Sequence, residues 1–242
     1  MLAYRSSASR WLAVLCTAAF VALAGLGVGC SKDDIVGDAS AEAVEAGLND
    51  ALSETVEPLA AFLGAVPTIV AGGVPFGGVV CPNTAGVCSG GGSVVCTPTS
   101  ATQLTFDFDE CIVATDDLPI TLDGVMVATP GDPILLNLNS LFINNQPAIT
   151  GTGTVSVANC SYIINVSNTN DVLVFGTIIQ CDVDDYPTAQ STLTIGLDNV
   201  LVDITFDGSS VAHAEATNQG TLIANCNINL AADPISSSCS AP

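Results

Sequence analysis

Hydrophobic positions follow two different periods along this chain, and the change between them divides it. Val44, Leu48, Leu52, Val56, Leu59 and Leu63 recur at spacings of three and four. Such positions line one face of an α-helix, so the pattern predicts an amphipathic helix over 38–66. Asp38 or Ser40 can cap its start, and Glu42 and Glu45 lie near the positive end of its dipole. Pro58 is expected to kink or divide it. A stripe of this kind belongs in a core, packed on a sheet. The acidic polar face argues against a helix lying on a membrane surface.

From Gln103 onward the period becomes two. Leu104, Phe106 and Phe108 alternate with Thr105, Asp107 and Asp109. Residues 120–127 read as a hairpin in which Asp123-Gly124 forms a two-residue turn, pairing Leu122 with Val125 and Ile120 with Val127. Residues 193–206 read the same way: Leu193, Ile195 and Leu197 resume as Val200, Val202 and Ile204 on the same face after Asp198-Asn199. A bulge in one long strand would produce the same flip. Phe206-Asp207-Gly208-Ser209 predicts another turn. Further strands are expected at 134–143, 152–167, 172–183 and 221–230. Eight to ten strands joined by short turns predict a mainly β fold. It is an antiparallel meander, barrel or sandwich over 103–242, with the amphipathic helix packed on it. Few aromatic residues are available for the girdles of a membrane-spanning barrel, which disfavours that form.

Between these regimes, 67–102 is rich in Gly, Pro and Cys and reads as stapled loops, with short strands at 78–81 and 93–97. It holds no Lys, so its glycines do not make a phosphate loop. Two short stretches look alike, Val157-Ala158-Asn159-Cys160 and Ile223-Ala224-Asn225-Cys226. A duplicated β unit would explain the likeness; coincidence in a Thr/Asn/Val-rich chain explains it more simply.

The first 29 residues have a separate logic. Arg5 and Arg10 precede an almost wholly apolar run from Trp11 to Val28, and a polar run begins at Ser31. This is the layout of a secretory signal peptide. Its end, Leu26-Gly27-Val28-Gly29-Cys30, resembles the lipobox of bacterial lipoproteins cut by signal peptidase II, with Gly27 where that family usually has Leu. The resemblance implies cleavage before Cys30, lipidation of its thiol, and a tether over 30–37. Several acyl chains would make membrane anchoring stable where one is marginal. In that family Asp after the Cys marks inner-membrane retention. Ser31 stands there, which implies the outer membrane. Two rival readings are ordinary cleavage near Ala22-Leu23-Ala24 and an uncleaved apolar anchor.

Charge and cysteine content sharpen this picture. The chain has 24 acidic residues against three basic ones, a formal net charge of −21. Removal of 1–29 leaves Lys32 as the only base. Such a surface does not bind nucleic acid through phosphates. Cations, neutral glycans and a cationic or envelope protein remain as partner classes, and no oligomeric state follows. Acidity also keeps a Val/Ile-rich sheet protein soluble. Of ten cysteines, Cys16 lies in the signal and Cys30 is the lipid candidate. Cys81, Cys88, Cys96, Cys111, Cys160, Cys181, Cys226 and Cys239 remain, an even set that reads as disulfides formed outside the cytoplasm. The first four are expected to pair among themselves, and so are the last four. No C-x-x-C occurs, and the only histidine, His213, is far in sequence from the Cys81–Cys96 cluster, so zinc is disfavoured.

No catalytic signature emerges, and no cofactor is implied. On a strand, Ser209, Val211, His213 and Glu215 share a face, but residues four apart lie about 13 Å apart, too far for a Ser–His pair. Acid clusters occur at Asp107/Asp109/Glu110, Asp116/Asp117 and Asp182/Asp184/Asp185. Solvated acidic faces account for them. Calcium is the alternative, with Asp107, Asp109, Asp182, Asp184 and Asp185 as candidate ligands. The sequence therefore points to a non-catalytic structural or interaction module, lipid-anchored in the cell envelope. Its alternatives are a binder of an apolar ligand in a cavity of the curved sheet, a calcium-stabilised adhesion module, and a hydrolase working with carboxylates alone.

Overall fold

The computed structural model describes residues 40–70, 80–82, 87–114, 119–180 and 186–242. Ser40 caps α1 (Ala41–Ala51), its side chain accepting a hydrogen bond from Ala43 N at 3.3 Å. A π-helical turn, Leu52–Val56, leads into α2 (Glu57–Val70). Asp38, the other candidate cap, lies outside the described residues.

Twelve strands follow: β1 (Gly91–Pro98), β2 (Leu104–Val113), β3 (Ile120–Thr129), β4 (Ile134–Ile143), β5 (Ile149–Ser156), β6 (Ser161–Asn168), β7 (Leu173–Ile179), β8 (Thr192–Leu197), β9 (Val200–Thr205), β10 (Val211–Asn218), β11 (Thr221–Asn229) and β12 (Ser236–Ser240). They form one antiparallel meander in which spatial order equals chain order. The mainly β fold with a packed helix is as expected, with two more strands than the upper expectation. β1 and β12 are not paired with each other. The helix runs along the inner face. α1 packs on β12, β11 and β8, and α2 on β3, β4 and β5. The sheet therefore curls around the helix.

The alternation of the strands explains the core. Phe106 and Phe108 of β2, Leu122 and Met126 of β3, Leu138 and Leu141 of β4, and Val202 of β9 all point inward and are fully buried. They meet Leu48, Leu59, Phe62, Val66 and Ile69 of the helix in one continuous cluster. The rings of Phe106 and Phe108 stack 6.3 Å apart. β10 and β11 carry Ala212, Ala214, Ala216 and Ala224 on the inner face, all buried. Small side chains there leave room for α1 as it crosses β11.

The turns divide into those that local sequence governs and those that it does not. Asp198-Asn199 makes the expected two-residue hairpin turn, with Leu197 opposite Val200 and Asp198 at φ 50°. Asp123-Gly124 does not turn the chain; β3 runs straight through it. Gly124, at φ 106°, sits in a bulge opposite Phe108, where the β2–β3 and β3–β4 registers both shift. A Cβ at 124 would collide with the Ser140 carbonyl. The same chemistry that suits a tight turn, a positive φ without a Cβ, here suits a bulge that bends the sheet.

The expected strand over 152–167 is two strands. The turn between β5 and β6 is held by Asp132, which accepts from Ser156 Oγ at 2.9 Å and Ala158 N at 3.1 Å. That support comes from the β3–β4 connection, which the local sequence does not reveal. The two look-alike Asn-Cys stretches also occupy different places: Asn159-Cys160 lies in this turn, and Asn225-Cys226 within β11.

The helix departs from expectation in two ways. Pro58 does not break it. The π turn widens the coil just before the proline, and Glu57 N–H reaches back to Leu52 O. The wider π turn relieves the crowding that a proline ring meets against the preceding turn of a regular α-helix. The helix also continues past the expected end at 66, carrying Pro67 inside its last turn to Val70. Ile69 and Val70 are buried against the sheet, and that burial outweighs the lost bond.

The π turn is fixed to the sheet by one buried bond. Asn168 Nδ2 donates to Thr55 Oγ1 at 2.9 Å, while Asn168 Oδ1 accepts from Asn170 N and Val172 N. Thr55 is fully buried. Thr55→Val keeps the shape but leaves the Asn168 amide unpaired, so it should lower stability by about 1–3 kcal/mol in urea unfolding. Ala224→Leu should overpack the α1 crossing and cost about 1–3 kcal/mol by the same measurement.

Candidate functional site

The most developed polar constellation lies where the helix meets the last strand. Glu45, Asn49 and Glu57 share one side of the helix, beside the buried stripe. Along β12 and its approach, alternate backbone N–H groups point away from β11. Each meets a helix side chain. Cys239 N donates to Glu45 Oε2 at 2.7 Å, Ser237 N to Asn49 Oδ1 at 2.7 Å, and Ile235 N to Glu57 Oε1 at 2.7 Å. The Ser237 hydroxyl adds a second bond to Asn49 Oδ1 at 3.0 Å. Helix side chains thus do for this edge what a thirteenth strand would do.

Sequence reasoning gave Glu45, Asn49 and Glu57 no such partners, and it missed β12. The helical signal was present, since the three polar positions follow the buried stripe at multiples of four. The strand signal was not, because Ser236–Ser240 has almost no apolar alternation. Two other features hold β12. The Cys226–Cys239 disulfide joins directly opposed residues of β11 and β12, and the helix supplies acceptors.

Beside this seam a small cleft of about 150 Å³ is lined by Ser53, Glu57, Pro58, Ala61, Asn144 and Gln146. It contains one carboxylate. Partial burial raises the Glu57 pKa above the ordinary carboxylate range; the Ile235 N–H opposes this shift and nearby Asp233 adds to it. A single half-buried acid that already accepts a backbone bond is suited to holding structure.

The expected site residues fall as follows. Cys81 pairs with Cys96 and Cys88 with Cys111, both within the first four cysteines. Cys226 pairs with Cys239, and Cys160 is also disulfide-bonded. Cys30 and Cys181 lie outside the described residues. So do Asp116, Asp117, Asp182, Asp184 and Asp185. Asp107 and Asp109 stand exposed on the outer face of β2, opposite Val95 and Ser93 of β1. Among the described residues, no group of three or more His, Cys, Asp or Glu side chains is placed to hold a metal ion. His213 is exposed and its Nδ1 pairs with Asn227 Oδ1 at 2.8 Å across β10 and β11. Ser209 is engaged elsewhere, donating its hydroxyl to Val211 O and its N–H to Asp207. The Ser209 side chain and backbone N–H, both close to the Asp207 carboxyl, hold it below its usual pKa, with His213 a lesser cause.

An apolar ligand in the curve of the sheet would need space that Leu59, Phe62, Leu63 and Val66 fill. Among the described residues no helix is long and apolar enough to cross a membrane. Disulfides point to a non-cytoplasmic, oxidising compartment.

The Glu57 geometry yields a signed pH test. Its pKa is raised in the fold, so the folded state holds the proton more tightly than the unfolded chain. The Glu57 contribution to stability is therefore largest at low pH and declines as pH rises through the raised pKa. Glu57→Gln keeps an acceptor for Ile235 N and removes the charge. Its Tm relative to the parent should rise from pH 4 to pH 7. Glu57→Ala, which leaves the N–H unpaired, should be less stable than Glu57→Gln by about 1–2 kcal/mol across that range.

No family model, curated protein or solved structure matches this chain.

Proposed function

We propose that this chain is an exported lipoprotein, anchored through Cys30 in the outer membrane, that serves as a non-catalytic interaction module of the cell envelope. One observation carries the reading: the inner face of the sheet is filled by the chain's own helix. The surfaces left for function are the outer face, the turns and the sheet edges. The disulfides support maturation outside the cytoplasm. The segment Leu26-Gly27-Val28-Gly29-Cys30 supports lipid attachment. The helix cap at Ser40 follows Cys30 by ten residues, a length that keeps the domain near its anchor.

Intact mass of the protein from the membrane fraction, before and after reduction, tests this reading. The expected species begins at Cys30, carries acyl chains, and gains the hydrogens of four disulfides on reduction. Recovery of the whole chain from the cytosol, with Met1 in place and free thiols, would overturn it.

A further inference from the structure

The outer face of the sheet carries an apolar row at the end of the domain where the helix begins. Leu173, Leu201 and Leu222 are 37%, 46% and 38% exposed. They stand at or next to the starts of three odd-numbered strands, β7, β9 and β11. The ladders set them in line: Leu173 is opposite Gly196, Gly196 opposite Leu201, Leu201 opposite Thr217 and Thr217 opposite Leu222. Directly opposed residues share a face. Leu222 joins the row through a register shift between Ala216 and Thr217. A Cβ at Gly196 would lie 3.2 Å from Leu173 and 3.7 Å from Leu201, so these leucines close over the glycine as one apolar surface. Phe175, two residues along β7 on the same face, is also exposed and extends it.

Even-numbered strands run toward that end, β12 among them. The helix runs along β12 in the opposite sense, since Glu45, Asn49 and Glu57 meet Cys239, Ser237 and Ile235 in turn. Its N-cap, Ser40, therefore lies toward the same end as the row. Cys30 precedes Ser40 by ten residues, a length of chain that spans at most about 35 Å.

We infer that the Leu173–Leu201–Leu222 row rests on a lipid surface of zwitterionic head groups beside the Cys30 anchor. The inference rests on the reading of this chain as a lipid-anchored module and names the surface on which the module lies. A short tether holds the row against lipid at an effective concentration of about millimolar. A patch too small to bind a membrane by itself then stays docked. Charge selects the head group. Asp171 and Asp198 stand exposed in the turns beside Leu173 and Leu201, and anionic lipid would repel them. Asn199 and Gln219, exposed in the turns of the same end, offer uncharged amide groups to head-group oxygens. A second copy of this chain is the poorer cover, because facing rows would bring Asp171 and Asp198 against the same carboxylates.

Tryptophan fluorescence of the lipidated full chain, in vesicles of phosphatidylcholine brominated on its acyl chains, tests this. The only natural tryptophan, Trp11, lies in the segment expected to be removed, so a single introduced tryptophan reports alone. Leu201→Trp should shift its emission to the blue and be quenched by bromine. Leu222→Trp, a second reporter at the same end, should do the same. Val157→Trp, at an exposed position in the β5–β6 turn of the opposite end, should remain unquenched. Adding Leu173→Asn and Leu222→Asn to Leu201→Trp should reduce the quenching, and brominated phosphatidylglycerol in place of phosphatidylcholine should reduce it at low salt. Absence of quenching at 201 and 222, or equal quenching at 157, overturns the inference. A blue shift at 201 without quenching, in a protein of doubled mass, makes a second copy the cover and overturns it. A photo-cross-linking residue at 201 that captures protein and not lipid in native membranes does so too. If intact mass finds acyl chains at Cys30 while the reporters stay unquenched, only the assignment of this face falls. If it finds no acyl chain, the anchored reading falls and takes the inference with it.

Discussion

An open β-sheet must do something with two rows of unpaired backbone groups, and in this protein the helix answers for one of them. Glu45, Asn49 and Glu57 reach the N–H groups of Cys239, Ser237 and Ile235. A carboxylate or amide oxygen on a helix replaces a neighbouring strand's carbonyl, and bonds to charged acceptors are stronger than bonds between neutral groups. The arrangement requires the helix to run along β12 with its polar side against the strand and its apolar side against the sheet. Those two demands set its rotation. The buried Thr55–Asn168 bond then fixes the π turn from the other side of the core.

This single placement accounts for much of the rest. A helix lying inside the curve fills the volume, so the sheet curls around it without having to close. Alanines occupy inner positions on β10 and β11, while larger residues fill β2 to β4. Bulges such as that at Gly124 supply the bend. The short and nearly all-serine β12 is a poor strand by composition. It persists because a disulfide ties it to β11 and the helix satisfies its outer side. What the helix leaves outside the interior is the outer face of the sheet, where Leu135, Phe142, Ile163, Phe175 and Leu201 stand exposed among polar residues.

Much of this was legible in the sequence, and the failures have physical causes. The helical stripe through Leu48, Leu59 and Leu63 and the hairpin at Asp198-Asn199 are local signals, and both appear where expected. Asp123-Gly124 misled because turns and bulges ask the same of a glycine; only the neighbouring strands decide between them. The break between β5 and β6 was hidden because Asp132, distant in sequence, stabilises it. β12 was invisible because its stability comes from Cys226 and from the helix and not from its own side chains. Of the candidate site, the acids were visible, but Glu45 and Glu57 looked like any other solvated carboxylates. Nothing in a single sequence says that an acid will face a strand edge.

Residue-resolved amide exchange on the oxidised protein tests the central claim most directly. The amides of Ile235, Ser237 and Cys239 point away from β11, so in a bare edge they would exchange with solvent freely. The account predicts that they are protected as strongly as their neighbours in β12. Protection at Ser237 should be lost selectively when Asn49 is replaced by Ala. Rapid exchange at all three positions in the parent protein, or protection at Ser237 indifferent to Asn49, would contradict it.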